Sequence, residues 1–299
     1  MRFERVEQIL SDGQVGFGCR RRWALQDQLV SHDGTDHCGT FQDDVALSFD
    51  AACLVFRCSL GIVYVNLTDK EARIVDVIAF MHDNRAYFED FITRSTYHSN
   101  AIEGSTLSYA ETYAILWNDN SLQVTATARE LYEAINHKYA LDIALKDVSV
   151  PLSERLIKDV ACAINKNINE IGGYRTVSVL IRGAEHIPPK PNQINQLMMQ
   201  LVYERNHDDD ADPYLREARF HIRFERIHPF EDGNGRTGRI LVNRGLLEAG
   251  FAPVVIPFER RAAYLSMLAD GDAEGLADMF RALSRDEEER IATFAEAAQ

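Results

Sequence analysis

The sequence predicts a mainly α-helical protein with one short β-hairpin and a small N-terminal region of β character. Three observations carry that reading. From about residue 68 onward, apolar residues recur at helical spacing in segment after segment. Between Gly172 and Pro189 the pattern switches to alternation, with Val177, Val179 and Ile181 offset by Thr176, Ser178 and Leu180, and the β-branched content suits a strand that the proline pair ends. Before residue 68, Gly13, Gly16, Gly18, Gly34 and Gly39 punctuate a stretch in which Leu54 to Val65 suggests strands.

Helical patterns run over Lys70 to Asp90, Ser108 to Trp117, Ala126 to Ala144, Leu152 to Asn169, Gln193 to Asn206 and Arg260 to Met267. Ser108 with Glu111 three residues later forms a capping box opening its helix. Ala218 to Ile227 places Phe220, Phe224 and Ile227 at helical spacing, and Pro229, which has no N–H to donate, puts His228 at the helix exit. The next pattern, through Ile240, Leu241, Leu246 and Leu247, ends at Gly250, a residue suited to the left-handed position after a helix. Two short extended pieces around Gly183 complete the secondary structure. Residues 206 to 213, rich in aspartate, read as a solvated connection. The chain divides into a region 1–67 to which no role is assigned, a helical region 68–125, a domain 126–285 and a C-terminal helix or tail 286–299.

At 299 residues with 46% hydrophobic content, the chain is long enough for a full core. With 32 basic and 46 acidic residues the formal charge is −14, which opposes general binding to nucleic acid or anionic membranes. The most apolar stretch, Ala51 to Val65, is short for a bilayer and carries Arg57. No basic segment followed by an apolar run opens the chain, so a cytoplasmic protein is expected. Five cysteines, Cys19, Cys38, Cys53, Cys58 and Cys162, form no Cys-x-x-Cys pair and match no usual zinc spacing; reduced thiols are expected.

The densest chemistry lies in residues 228–239, His-Pro-Phe-Glu-Asp-Gly-Asn-Gly-Arg-Thr-Gly-Arg. A free histidine titrates near neutrality, so His228 suits proton abstraction from a hydroxyl. Gly233, Asn234 and Gly235 precede a helix start, where unpaired N–H groups and the positive end of the dipole cradle an anion. Arg236 and Arg239, three apart, offer planar forks for a polyphosphate. Asp232 is a hard oxygen ligand of the kind that holds Mg²⁺ with substrate phosphates, or otherwise an N-cap. Phe230 reads as a buried anchor, and His221 as a structural histidine. Asn243 lies four past Arg239, on the same face.

This window resembles the motif of the Fic (filamentation induced by cAMP) family, His-Pro-Phe-x-Asp/Glu-Gly-Asn-Gly-Arg-x-x-Arg, and matches every fixed position. The resemblance covers roughly residues 90 to 285. It implies a Fic-type helical bundle and transfer of AMP from ATP to a Ser, Thr or Tyr hydroxyl of a target protein, with Mg²⁺. His228 would be the base and Asp232 the metal ligand. Gly233, Asn234, Gly235, Arg236 and Arg239 would bind the phosphates, and Asn243 would reach the nucleoside or else face solvent.

Ser99-Asn100-Ala101-Ile102-Glu103-Gly104 fits the family's Ser/Thr-x-x-x-Glu-Gly/Asn inhibitory helix. Glu103 would pair with Arg239 and deny it to the γ-phosphate, Ser99 and Gly104 framing the motif; otherwise Gly104 is a C-cap and Glu103 solvated. The same glutamate could orient water for removal of AMP. The hairpin resembles the Fic flap, here Val179, Leu180, Ile181, Arg182 and Gly183, which docks the target by main-chain pairing. Two alternatives stay open: a Fic-fold transferase of another nucleotide, phosphocholine or phosphate, and a non-catalytic nucleotide-binding or toxin-like regulator. Homo-oligomerisation is also left open.

Overall fold

In the computed structural model the structure describes residues 45–47, 53–58, 61–66, 77–118, 122–181, 186–208 and 212–297. The chain forms two units, residues 1–72 and residues 73–299. Within the first, β1 (Val45–Leu47), β2 (Cys53–Cys58) and β3 (Gly61–Asn66) form an antiparallel sheet in that order, with Val45 opposite Phe56 and Cys53 opposite Asn66.

The second unit is helical among its described residues. It comprises α1 (Arg85–Glu103), α2 (Tyr109–Trp117), α3 (Ala128–Leu145), α4 (Glu154–Asn165), α5 (Pro191–Asn206), α6 (Pro213–Ile227), α7 (Asn234–Glu248), a 3₁₀ turn (Phe258–Arg260), α8 (Arg261–Asp270) and α9 (Ala273–Ala297).

Each start has a local cause. Ser108 and Thr127 close capping boxes with Glu111 and Glu130, Ser153 caps α4, and Asp212 caps α6 ahead of Pro213. The periodicity over Lys70 to Asp90 breaks at Asn84. Its side chain accepts from the Tyr87 N–H at 3.0 Å, so a helical stretch at 77–83 ends there and α1 begins. The pattern over Leu152 to Asn169 stops short at Asn165, two residues before Asn167 turns to φ 61°. Gly250 does take the left-handed conformation that follows α7, with φ 82°.

α7 is the element on which the site is built. Residues 236–247 are all buried, and successive residues serve different clusters: Leu241 packs with Phe220, Phe224 and Phe230, Val242 with Ile102, Tyr264 and Phe280, and Ile240 with Tyr87, Phe91 and Ile164. A helix buried on all sides has no solvent face along which to shift. It packs against α6, α3, α4 and α1. The last of these is tied in turn to α9, where buried Glu287 accepts from both terminal nitrogens of Arg94 at 2.9 and 2.7 Å and from the Tyr87 hydroxyl at 2.9 Å. The residues placed at the start of α7 therefore inherit a rigid frame.

Residues 174–181 and 186–190 carry no strand ladder, so the hairpin expected there is not formed among the described residues. Val179, Leu180 and Ile181 lie in unpaired chain, and Leu180 is 80% exposed. Arg182 and Gly183 lie outside the described residues.

Candidate active site

The loop joining α6 to α7 is closed by its own side chains. Asn234 accepts from the Phe230 N–H and donates to the Phe230 carbonyl, both at 2.9 Å, while the Phe230 ring is fully buried against Tyr174 and Phe224. The side chain of Asn234 thus staples the loop. Gly233 caps α7 at φ 76°, and a Cβ there would lie 2.7 Å from the Ile164 side chain, so both conformation and space require glycine. The Asp232 carboxylate takes up the Gly233 N–H at 2.6 Å. The N–H groups of the first turn of α7 have no intrahelical acceptors.

His228 caps α6 at φ 49°, ψ 62°, a left-handed conformation that costs an L-residue with Cβ about 1–2 kcal/mol. Arg175 holds it there. Its buried guanidinium donates to the carbonyls of His228 (2.7 Å), Val177 (2.8 Å) and Pro189 (2.7 Å), and its N–H to that of Pro229 (2.8 Å). One residue therefore ties both ends of the 175–189 segment to His228. The His228 Nδ1 lies 3.3 Å from the Glu225 carbonyl, which leaves Nε2 as the accepting nitrogen when Nδ1 carries the proton. Burial holds the imidazole below its ordinary 6.5, opposed by that carbonyl, so the ring is unprotonated at neutral pH. Burial also pushes the Glu225 carboxyl up to about 8, with Arg239 opposing and Glu103 adding, which favours its protonated form beside His228.

Replacing Arg175 by alanine is expected to lower stability by about 3 kcal/mol, since three carbonyls lose their donor. Lysine should not restore it, because one ammonium cannot span the same fork. Thermal unfolding of both variants reads this, and an unchanged midpoint for either would refute the assignment.

The two arginines of α7 diverge although they are three residues apart. Arg236, nearly fully buried, faces α3 and Asp232, with Nη1 3.2 Å from Glu133 and Nη2 3.3 Å from Asp232. Among the described residues neither its Nε nor its Nη1 has a hydrogen-bond partner. Arg239 turns to α1. It donates from Nε to the Ser99 hydroxyl (3.0 Å), and from Nη2 to the Ser99 carbonyl (3.0 Å) and the Glu103 carboxylate (2.7 Å), while Nη1 meets the Tyr264 hydroxyl at 3.5 Å. Burial works against its charge, but Tyr264 and Glu103 keep Arg239 raised above the ordinary guanidinium value.

Gly104 takes φ 105° and caps α1, so both alternatives for that segment meet: Gly104 is a C-cap, and Glu103 beside it, though partly exposed, is ion-paired to Arg239. The Glu103 carboxylate also lies directly over the start of α7. A Cβ built on Gly235 would stand 2.4 Å from Glu103 Oε1. An anionic group thus occupies the cradle formed by the glycine loop and Arg239.

Asn243 is buried rather than solvent-facing. Its side-chain oxygen accepts from the Val254 N–H at 2.6 Å, and it lines a small pocket with Ser95, Ser99, His137 and Arg239. His221 is buried against Tyr264, with Nε2 2.6 Å from the hydroxyl. Asp232 would be raised by burial, yet Arg129 and Arg236 hold it below the usual carboxylate range. Among the described residues no cluster of three or more His, Cys, Asp or Glu could enclose a metal, so Asp232 would be a single protein ligand. That suits Mg²⁺, which takes one or two carboxylates and completes its shell with waters and phosphate oxygens.

The sequence reading passed over Arg129, Glu133, Arg175 and Tyr264. Only Arg129 carried a local signal, as a basic residue in the first turn of a helix, where acidic residues are favoured.

Residues 151–246 match the Fic/DOC family model. Protein adenylyltransferase Fic of Drosophila melanogaster is 32% identical over 200 residues, covering 62% of this chain and 38% of that protein. The Drosophila virilis protein of the same name is 31% identical, with 62% and 39% covered. The chain spans about two fifths of the length of these curated relatives. Among solved structures, Fic-1 (aa134–508) from C. elegans superposes with a TM-score of 0.59 at 27% identity, covering 76% of this chain and 71% of that one. A Fic domain containing signaling protein from Bacteroides thetaiotaomicron shares the fold, with a TM-score of 0.64 at 22% identity, covering 75% and 98%. No helix among the described residues is long and apolar enough to cross a membrane.

Proposed function

We propose, from the premise that residues 151–246 form a Fic/DOC domain, that this chain transfers AMP from ATP to a hydroxyl of a target protein and that Glu103 holds it inhibited. The observation that carries the reading is the Glu103 carboxylate seated on Arg239 and against Gly235, where the anion cradle would take phosphate. Its contact with the guanidinium is a charge-assisted bond of the kind a phosphate oxygen would make.

In the reaction, His228 Nε2 takes the proton of the target hydroxyl. The oxygen forms a bond to the α-phosphorus, the bond from that phosphorus to the bridging oxygen breaks, and pyrophosphate leaves with the electron pair. The first-turn N–H groups of Asn234 and Gly235 and the Arg236 guanidinium would hold the phosphates, with Arg239 joining once Glu103 withdraws. Asp232 would hold Mg²⁺, which neutralises phosphate charge when bound. Asn243, behind Arg239, supports the nucleoside side of the site. The unpaired chain at Val179, Leu180 and Ile181, of which Leu180 is exposed, would with Arg182 and Gly183 receive the target's extended segment.

Label transfer tests this. With the inhibitory contact removed by Glu103→Gly, protein in cell lysate should be labelled from ATP carrying ³²P at the α-position and not from the γ-labelled nucleotide. Labelling from the γ-position would instead mean phosphate transfer, and failure with both would sink the proposal.

The acid limb gives a second check. The base must be unprotonated, so activity is present above its pKa and lost as pH falls through it. Because burial sets His228 below 6.5, the midpoint of that limb should fall below 6.5. In a Glu103→Gly variant it should fall further, since Glu103 raises the imidazole. A midpoint above 6.5 in the variant would remove His228 from the role.

A further inference from the structure

Asp232 is already occupied, and by a group from a different helix. Its Oδ1 is turned inward, accepting from the Gly233 N–H at 2.6 Å and lying 3.3 Å from Arg236 Nη2. Its Oδ2 accepts from Arg129 Nη2 at 2.6 Å. Oδ1 therefore serves the loop, and Oδ2 is the oxygen left to bind a cation. Arg129 sits on that oxygen.

Three features set this contact apart from an ordinary surface ion pair. Arg129 is the second residue of α3, at the positive end of the helix dipole, where a cation is disfavoured. It lines the same pocket as Asp232, Arg236, Glu103 and Glu133, so it lies within the proposed nucleotide site. It also has a second partner within reach: Arg129 Nε donates to Glu133 Oε1 at 2.9 Å, and Arg236 Nη1 lies 3.2 Å from the same oxygen. Arg129 can leave Asp232 and keep Glu133.

We propose that Arg129 is a stand-in for the divalent cation, a positioning residue that neutralises Asp232 Oδ2 in the unloaded site and is displaced when the metal–nucleotide complex binds. This rests on the nucleotidyl-transfer reading of the site. Without a counter-charge, two carboxylates, Asp232 and Glu133, would face each other across Arg236 alone. With Arg129 in place the empty site is neutral enough to stay folded, and the cation pays for entry by breaking one partly exposed pair, the two side chains being 56% and 29% exposed. Such pairs are weak, so the exchange is easy and reversible. Metal binding and release of Arg129 are then one event.

The test is Mn²⁺ binding, followed by electron paramagnetic resonance at saturating ADP, in the Glu103→Gly background so that the inhibitory carboxylate does not contribute. Arg129→Gln removes the competitor and should tighten Mn²⁺ by about two- to fivefold, the scale of one partly exposed ion pair. Arg129→Lys, which keeps a charge but loses the fork, should fall between. The thermal midpoint of the unloaded protein should change little or fall, so tighter binding would not reflect a generally firmer fold. Equal or weaker Mn²⁺ binding in Arg129→Gln overturns the proposal, and weaker binding would make Arg129 a ligand of the nucleotide instead. If neither parent nor variant binds Mn²⁺ with ADP, the nucleotidyl-transfer reading fails and this inference with it.

Discussion

Glu103→Gly is expected to raise the initial rate of AMP transfer by about a hundredfold, toward the upper end of measured couplings between an inhibitory and an active state. Two physical changes add up. The variant takes away the only carboxylate that is hydrogen-bonded to Arg239 among the described residues, and it clears the space 2.4 Å from where a Cβ of Gly235 would stand. Arg239 itself should stay ordered, because its two bonds to Ser99 remain. Glu103 closes no core, with its side chain 40% exposed, so its loss should leave the fold intact. The measurement is incorporation of α-label at fixed enzyme and ATP. A rate within twofold of the parent would mean that the contact is structural and that inhibition, if present, lies elsewhere.

The second large effect has the opposite sign. His228→Ala in the Glu103→Gly background should lower transfer by about 10²- to 10⁴-fold, the usual contribution of a positioned general base. Alanine at φ 49° also strains the cap, so His228→Asn is the decisive companion. Asparagine tolerates the left-handed conformation but does not take a proton at neutral pH. The asparagine variant should melt like its parent, bind ADP like its parent and transfer as poorly as the alanine variant. An active asparagine variant would exclude His228 as the base.

Much of this site was legible because its chemistry is local. A base, an acid, three glycine-loop residues and two guanidiniums lie within residues 228–239, and the helix signals on either side place them at an exit and an entry. Glu103 and Gly104 were legible for the same reason, as a short motif with a helix end. The helical segments were legible from periodicity, and they erred at Asn84, where a side chain competes with the backbone, and near Asn167, where the chain turns to φ 61°. The hairpin expected around Gly183 shows the opposite case. Alternation identifies extended chain, but a ladder needs a partner strand, and none is formed among the described residues there.

The sequence by itself determined the helical class, the place of the glycine loop between two helices and the pairing partner of Arg239. Each of these depends on residues within a few positions of one another or on a motif of fixed spacing. The tertiary structure alone decided that Arg175 anchors His228, that Arg129 bonds Oδ2 of Asp232, that Asn234 staples its own loop and that Arg236 and Arg239 face different helices. Those contacts join residues 53 and 103 positions apart, or turn on which way a side chain points from a helix buried on all sides. No periodicity encodes such choices, because they are set by packing between helices rather than along one.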